Sequence, residues 1–235
     1  RNELVGLSIA GPKARALLAR LVQDDVSSAA FPFLSFRRLD IGMIPALVGR
    51  ISFTGETGYE IWVGPDYQRA LYDLLRQEGT AFGLRLYGAR ALNSLRLEKS
   101  FGTWAREYRP IYGPYEAGLG RFVDLAKPDF IGRAAAERQK AEGPERRLAT
   151  FIVAAEDADV IGDEPIWHDG AVVGWVTSGG YAHHSGLSLA LGYLPAALAA
   201  AGDEIAFEIE ILGQRRPTKR AIKPPYDPAG ERMRQ

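Results

Sequence analysis

The stretch Ile51-Ser52-Phe53-Thr54-Gly55-Glu56-Thr57-Gly58-Tyr59-Glu60-Ile61-Trp62-Val63 sets the architecture expected for the first half of this chain. Two short alternating runs flank the turn 54–58, and two glycines in five residues supply the positive backbone angles of a sharp reversal. A β-hairpin is therefore predicted. Past the turn, side chains alternate across the strand. Tyr59, Ile61 and Val63 share a face that reads as core, and Glu60 shares the other with Trp62. An ionised carboxylate only accepts hydrogen bonds and pairs best with two parallel N–H donors. An arginine offers that fork, and so does the aminopyrimidinone edge of a pterin. Glu56, in the turn, is the comparison acid.

Length and composition narrow the class. The chain has 235 residues, enough for one large or two small domains, with 46% hydrophobic and 25% charged residues. Lys+Arg and Asp+Glu both number 29. That balance argues against nucleic acid and against an anionic membrane surface as partners. Cysteine is absent, which excludes disulfides, thiol catalysis and thiolate metal sites and fits a reducing compartment. No apolar run approaches the roughly 18 residues of a membrane helix. The expected location is cytoplasmic.

Outward from the hairpin, periodicity assigns the other elements. Residues 4–10 alternate as a strand, and Gly11-Pro12 opens a helix with the stripe Ala14, Leu17, Leu18 and Leu21. Residues 31–41 and 46–53 read as strands. Gly64-Pro65-Asp66 starts a second helix, which Gly79 is expected to cap. A third helix is expected over 88–99, with Ala91, Leu92 and Leu95 as its buried side and Arg96 paired with Glu98. Residues 101–120 read as irregular, and 131–141 as a short charged helix. Strand, helix, strands, helix suggests an α+β ferredoxin-like layer. After the breakers Gly143-Pro144 the pattern turns to β, with strands expected over 148–154, 171–177, 187–194, 204–212 and 217–222. Several short strands with regular turns read as a small barrel or sandwich, and a small antiparallel β-barrel is the expected form. The expected division is residues 1–145 and 146–235.

The motif resembles the signature of the glycine-cleavage T-protein (aminomethyltransferase) family: aromatic-Thr-Gly-Glu, any residue, Gly, aromatic, Glu, Ile. Pro114-Tyr115-Glu116-Ala117-Gly118-Leu119, Val176-Thr177-Ser178-Gly179 and Ala190-Leu191-Gly192-Tyr193 are similar to further family segments, so the likeness runs through the chain. Glu98-Lys99 with Gly102-Thr103-Trp104, and the tail Tyr226-Asp227-Pro228, resemble the folate-binding part of the dimethylglycine and sarcosine dehydrogenase branch.

The resemblance implies a tetrahydrofolate-dependent one-carbon transferase module that captures a methylene group from an N-methyl or aminomethyl donor. It implies that Glu60 holds the pterin and that Phe53, which keeps the ring of the usual Tyr without its hydroxyl, lines the same pocket. Trp62, on the Glu60 face, either stacks on the pterin or covers the core. Arg90 is a candidate for the glutamate tail of folate or for a surface ion pair. The family's folate-contacting Arg falls at Leu92, and two helix positions are about 200° apart, so Arg90 does not simply replace it. Trp104 either walls a cavity or packs under its loop. No residue here matches the catalytic Asp, which lies in a preceding lobe of the family, so none is assigned as catalytic. The implied partners are folate, a methylamine-type donor and, in the dehydrogenase branch, an upstream flavin domain with its FAD. A folate-binding or structural interaction module without chemistry is the alternative. His183-His184 reads as part of a turn rather than a metal site, Thr177-Ser178-Gly179 as a tight turn, and Glu204, Glu208 and Glu210 as a solvated strand face.

Overall fold

The computed structural model describes residues 3–202 and 205–235. The chain forms two compact units, Arg1–Leu92 with Asp227–Gln235, and Asn93–Tyr226.

The first unit contains β1 (Val5–Ala10), α1 (Ala14–Leu21), β2 (Phe36–Ile41), β3 (Ile44–Gly49), β4 (Gly58–Val63) and α2 (Gln68–Gly79). The strands make one antiparallel sheet in the order β1-β4-β3-β2. Tyr59, Ile61 and Val63 enter a core with Leu17, Leu18, Leu71 and Leu75, so both helices cover the same face of the sheet. The period-2 pattern of β4 and the period-3.6 stripe of α1 are thus two halves of one buried surface. The other face carries Ser8, Glu60, Trp62, Gly49 and Phe36, by the same alternation and the cross-strand register.

Several boundaries in this unit differ from expectation. β2 begins at Phe36, not at residue 31, and a two-residue turn, Gly42-Met43, joins it to β3 with Gly42 at φ +62°. β3 ends at Gly49, so Ile51-Ser52-Phe53 belongs to an irregular connection rather than a hairpin arm. The cause is Arg50, whose backbone bonds turn away from β4: its N–H donates to the Ser35 carbonyl and its carbonyl accepts from Leu34 N–H, both at 2.9 Å. Gly79 is helical (φ −63°), and the left-handed cap falls at Gly83 (φ +73°) after a 3-10 turn.

α3 (Ala89–Glu98) carries the chain from the first unit into the second. An irregular segment, α4 (Arg133–Glu142) and a six-stranded barrel follow. The barrel comprises β5 (Arg146–Val153), β6 (Pro165–His168), β7 (Ala171–Ala182), β8 (Leu187–Pro195), β9 (Phe207–Ile211) and β10 (Gln214–Ala221), closed in the order β10-β5-β8-β7-β6-β9. α5 (Ala196–Ala200) sits between β8 and β9, and α6 (Glu231–Arg234) belongs to the first unit. The alternation of Phe207, Ile209 and Ile211 delivers three buried side chains to the barrel core, as expected; the start of that predicted strand, Glu204, lies outside the described residues. Glu208 and Glu210 are half-buried rather than fully solvated, with Glu208 3.8 Å from Arg215. β6 was not among the expected strands. Residues 177–179 lie inside β7, at a register shift between Val176 and Ser178, so the tight turn is corrected to a bulged strand.

Barrel closure brings backbones close at Gly174, where an added Cβ would sit 2.1 Å from the Tyr193 carbonyl oxygen. Gly174→Ala is expected to destabilise the chain by about 3 kcal/mol or more, because a backbone atom cannot step aside as a side chain does. At Gly88 a Cβ would meet nothing within 4 Å. Gly88→Ala should stay within about 0.5 kcal/mol. Urea unfolding of the two variants measures the contrast.

Candidate functional site

The open face of the first unit's sheet carries two of the candidate residues, Glu60 and Trp62. Gly49 stands opposite both Glu60 and Phe36, and Glu60 stands opposite Ser8. The Phe36 ring covers Gly49: a Cβ there would lie 2.6 Å from the ring. Trp62 covers Gly6 in the same way, at 3.0 Å. Both glycines let an aromatic ring lie flat on the sheet, and the two rings stack on each other with centroids 5.7 Å apart and planes 22° apart. Trp62 also borders a shallow groove of about 650 Å³ with Arg38, Leu47 and Asp40.

Glu60 is half-buried beside this aromatic pair. Among the described residues no donor reaches its carboxylate. Burial alone pushes its pKa above the usual carboxylate range, with no hydrogen bond or cation to bring it back. A half-desolvated, unpaired acceptor on a strand costs free energy that a two-donor ligand would offset. The strand faces agree with expectation: Glu60 and Trp62 share one face, and Tyr59 and Ile61 are fully buried on the other.

The remaining candidates are placed as follows. Phe53 is half-buried in the connection 50–57. Arg90 lies exposed in the first turn of α3; among the described residues no carboxylate pairs with it, so the surface ion pair has no partner. Trp104, in the second unit, is 83% exposed with its ring edge-on to Tyr108 at 6.1 Å, and so does not pack under its loop. Glu56 is not an idle turn acid, since it lies 3.4 Å from Arg232. Phe36 and Ser8 were not anticipated. The signal for Phe36 is its place two residues before Arg38 on an alternating strand, but only the register puts it beside Gly49.

α3 presents a different face from the one expected. Its buried residues are Ser94, Arg96, Leu97 and Glu98, while Ala91 is exposed and Leu92 and Leu95 are half-buried. Arg96 and Glu98 do not pair, because two helix positions point about 200° apart. Arg96 lies 3.6 Å from Glu107 and bonds Asn93 and the Phe101 carbonyl. Glu98 accepts from His184 N–H at 3.0 Å and from the Ser185 hydroxyl at 2.8 Å, and Ser94 Oγ accepts from His183 N–H. The two histidines therefore sit in the β7–β8 turn, anchored through their backbone by α3.

No helix among the described residues is long and apolar enough to cross a membrane. Residues 1–127 match the model of the GCVT N-terminal domain, and residues 146–227 that of the glycine cleavage T-protein C-terminal barrel domain. The chain is 42% identical to the mitochondrial dimethylglycine dehydrogenase of Homo sapiens over 217 residues, 92% of this chain and 25% of that protein. It is 36% identical to an aminomethyltransferase of Synechocystis sp. over 215 residues, 91% of this chain and 55% of the relative. The crystal structure of aminomethyltransferase T from Bartonella henselae shares the fold, with a TM-score of 0.83 and 24% identity over 97% of this chain and 61% of that one. The chain thus spans about a quarter of the dehydrogenase and little more than half of the transferase. Two matched domain models, in the order and at the places where the sheet layer and the barrel lie, make this chain a member of the glycine-cleavage T-protein family.

Proposed function

We propose that this chain is a tetrahydrofolate-binding module for one-carbon transfer, of the kind joined to flavin chemistry in the dimethylglycine dehydrogenase branch. The observation that carries the reading is the unpaired, partly desolvated Glu60 carboxylate next to a flat aromatic pair. A pterin has a planar face for the rings and a two-donor edge for the carboxylate, so the donor set fits the ligand. Glu60 fixes the pterin edge, Trp62 and Phe53 wall it, Phe36 holds Trp62 flat, and exposed Arg90 is free to meet the glutamate tail. When bound, tetrahydrofolate supplies the nucleophilic nitrogen for a methylene carbon from an N-methyl or aminomethyl donor. The contribution of this chain is orientation and a fixed negative charge. The folate-contacting residues fall within the proposed 1–145 region, and no chemistry is assigned to the proposed 146–235 barrel domain or to Trp104. An FAD would belong to a separate flavin domain, since the chain carries no Gly-x-Gly-x-x-Gly fingerprint.

Isothermal titration with tetrahydrofolate is the test. Saturable binding at a stoichiometry near one, competed by a pterin lacking the glutamate tail, is the expected result. No heat at high concentration would leave the chain a structural module. Turnover with an N-methylated glycine and a flavoprotein partner then separates a transferase from a binder.

A further inference from the structure

Arg50 is among the largest fully buried side chains, 1% exposed, at the start of the connection that carries Phe53. Its side-chain partners are main-chain oxygens. Nη1 donates to the Phe31 carbonyl, and Nη2 donates to the carbonyls of Arg234, at 3.0 Å, and Gln235. Nε has no partner among the described residues. Burial and, after it, the nearby Arg15 both disfavour its charge. A buried guanidinium held by three main-chain oxygens depends strongly on each of them.

The far end of the same connection is tied to the same segment. Thr57 Oγ1 donates to the Arg232 carbonyl at 2.9 Å, and Arg232 reaches Glu56 at 3.4 Å. Between these ties Met233 is buried, 7% exposed. The segment is itself built to hold its shape. Asp227 accepts from the N–H groups of Glu231 and Arg232, at 3.1 and 3.2 Å, and Gly230 supplies the left-handed turn that opens α6. So one nine-residue piece, 227–235, grips residues 50, 56 and 57, and the loop between them presents Phe53. The sequence distance is large, 175 residues for Thr57 to Arg232, which makes the contact a designed closure rather than a local turn.

We propose that residues 227–235 form a strap that sets the conformation of the 50–57 connection, and that Arg50 is a positioning residue for the folate pocket. The role of the strap in binding rests on the folate reading above. Its role in the fold does not.

Hydrogen exchange of the full chain, without ligand, tests the strap first. The double variant Thr57→Val, Met233→Ala loosens its grip while leaving the buried cation in place, and Arg50→Lys shortens the reach to the 234–235 carbonyls. Amides 51–57 are expected to exchange about tenfold faster in both, with the β4 and barrel amides unchanged, since local opening is independent of global unfolding. Tetrahydrofolate titration of the same proteins is expected to show about tenfold weaker binding. Unchanged exchange at 51–57 in the double variant overturns the strap. Faster exchange with undiminished affinity overturns the positioning role. If the parent chain itself binds no folate, the pocket reading fails, and the exchange result still decides whether the strap holds the connection.

Discussion

Glu107→Ala is expected to cost the second unit about 3–5 kcal/mol, because it strands a buried cation. Glu107 is fully buried and Arg96 is 2% exposed, with Arg96 Nη1 3.6 Å from Glu107 Oε2. Oε2 also accepts from Thr103 N–H at 2.7 Å and from its hydroxyl at 3.1 Å, and Oε1 accepts from the Ser178 hydroxyl at 2.5 Å. The Tyr193 hydroxyl closes the group on the Glu107 carbonyl at 2.7 Å, and burial pushes that phenol's pKa well above its usual range. Burial likewise disfavours the Arg96 charge, and Glu107 is the main group that restores it. Removing the acid therefore removes the restoring charge and leaves three donors aimed at a void. The double variant Arg96→Met, Glu107→Leu should recover part of the loss, since two apolar groups of similar size avoid the desolvation that one orphaned charge suffers. Denaturation followed by tryptophan fluorescence reads this unit well, because Trp104, Trp167 and Trp175 all lie in it. A loss below about 1 kcal/mol for Glu107→Ala would show that water relieves the site and that the network is not structural.

The same network explains where the sequence misled. Hydropathy places Ser94, Arg96 and Glu98 on a solvent face and turns α3 toward Ala91, Leu92 and Leu95. Each of those polar side chains is buried with a specific partner beyond the end of its own helix: Tyr181 and His183 for Ser94, Glu107 for Arg96, and His184 and Ser185 for Glu98. A polar residue with a distant partner has no signature in local periodicity. Residues 177–179 failed for a related reason. Thr, Ser and Gly are turn formers by local preference, but Thr177 bonds the Leu191 carbonyl and Ser178 bonds Glu107, so partners outside the segment hold it in β7. β6 is four residues long and opens on Pro165, too short for alternation to register.

Where burial alone decides, the sequence was sufficient. β4 alternates because one face must be dry, and α1 repeats at i, i+3 and i+4 because one stripe must. That is why the side of the sheet holding Glu60 and Trp62 was legible in advance. The neighbours across the strands were not. Phe36 reaches Gly49 only through the β2–β3 register, which Gly42-Met43 fixes by a turn two residues long rather than the four expected. The placing of Arg50 was equally hidden, since it fell inside the expected strand 46–53 with no partner assigned, and two of its acceptors come from the other end of the chain.

The carboxylate of Glu60 gives the most decisive expected result for function. Glu60→Gln should weaken tetrahydrofolate binding by about 2–4 kcal/mol, roughly 30-fold to nearly 1,000-fold in Kd. The amide keeps the shape but presents a donor to the pterin's own donors, and it gives up the charge that makes a paired contact strong. Fold stability should not suffer. Burial raises the pKa of Glu60 in the folded chain, so the ionised form is the disfavoured one there. The penalty is absent below the ordinary carboxylate value, grows between that value and the raised folded one, and is fully present above it. Glu60→Gln lifts this penalty at neutral pH and should leave the melting temperature equal to the parent's or slightly higher. Ligand donors act in the opposite direction, favouring the charge. Binding to the parent should therefore weaken as pH falls through the raised pKa, with a proton released on binding in that window. The variant should lack both effects. Asp66→Asn, at an exposed acid of the same unit outside the sheet face, is the control, because Glu56 is tied to Arg232 and would report on the strap. Calorimetric titration in two buffers of different ionisation heat measures affinity and proton release together. Equal affinity for the parent and Glu60→Gln, or a parent affinity flat across that pH window, would take Glu60 out of the pocket and return the open sheet face to a structural surface.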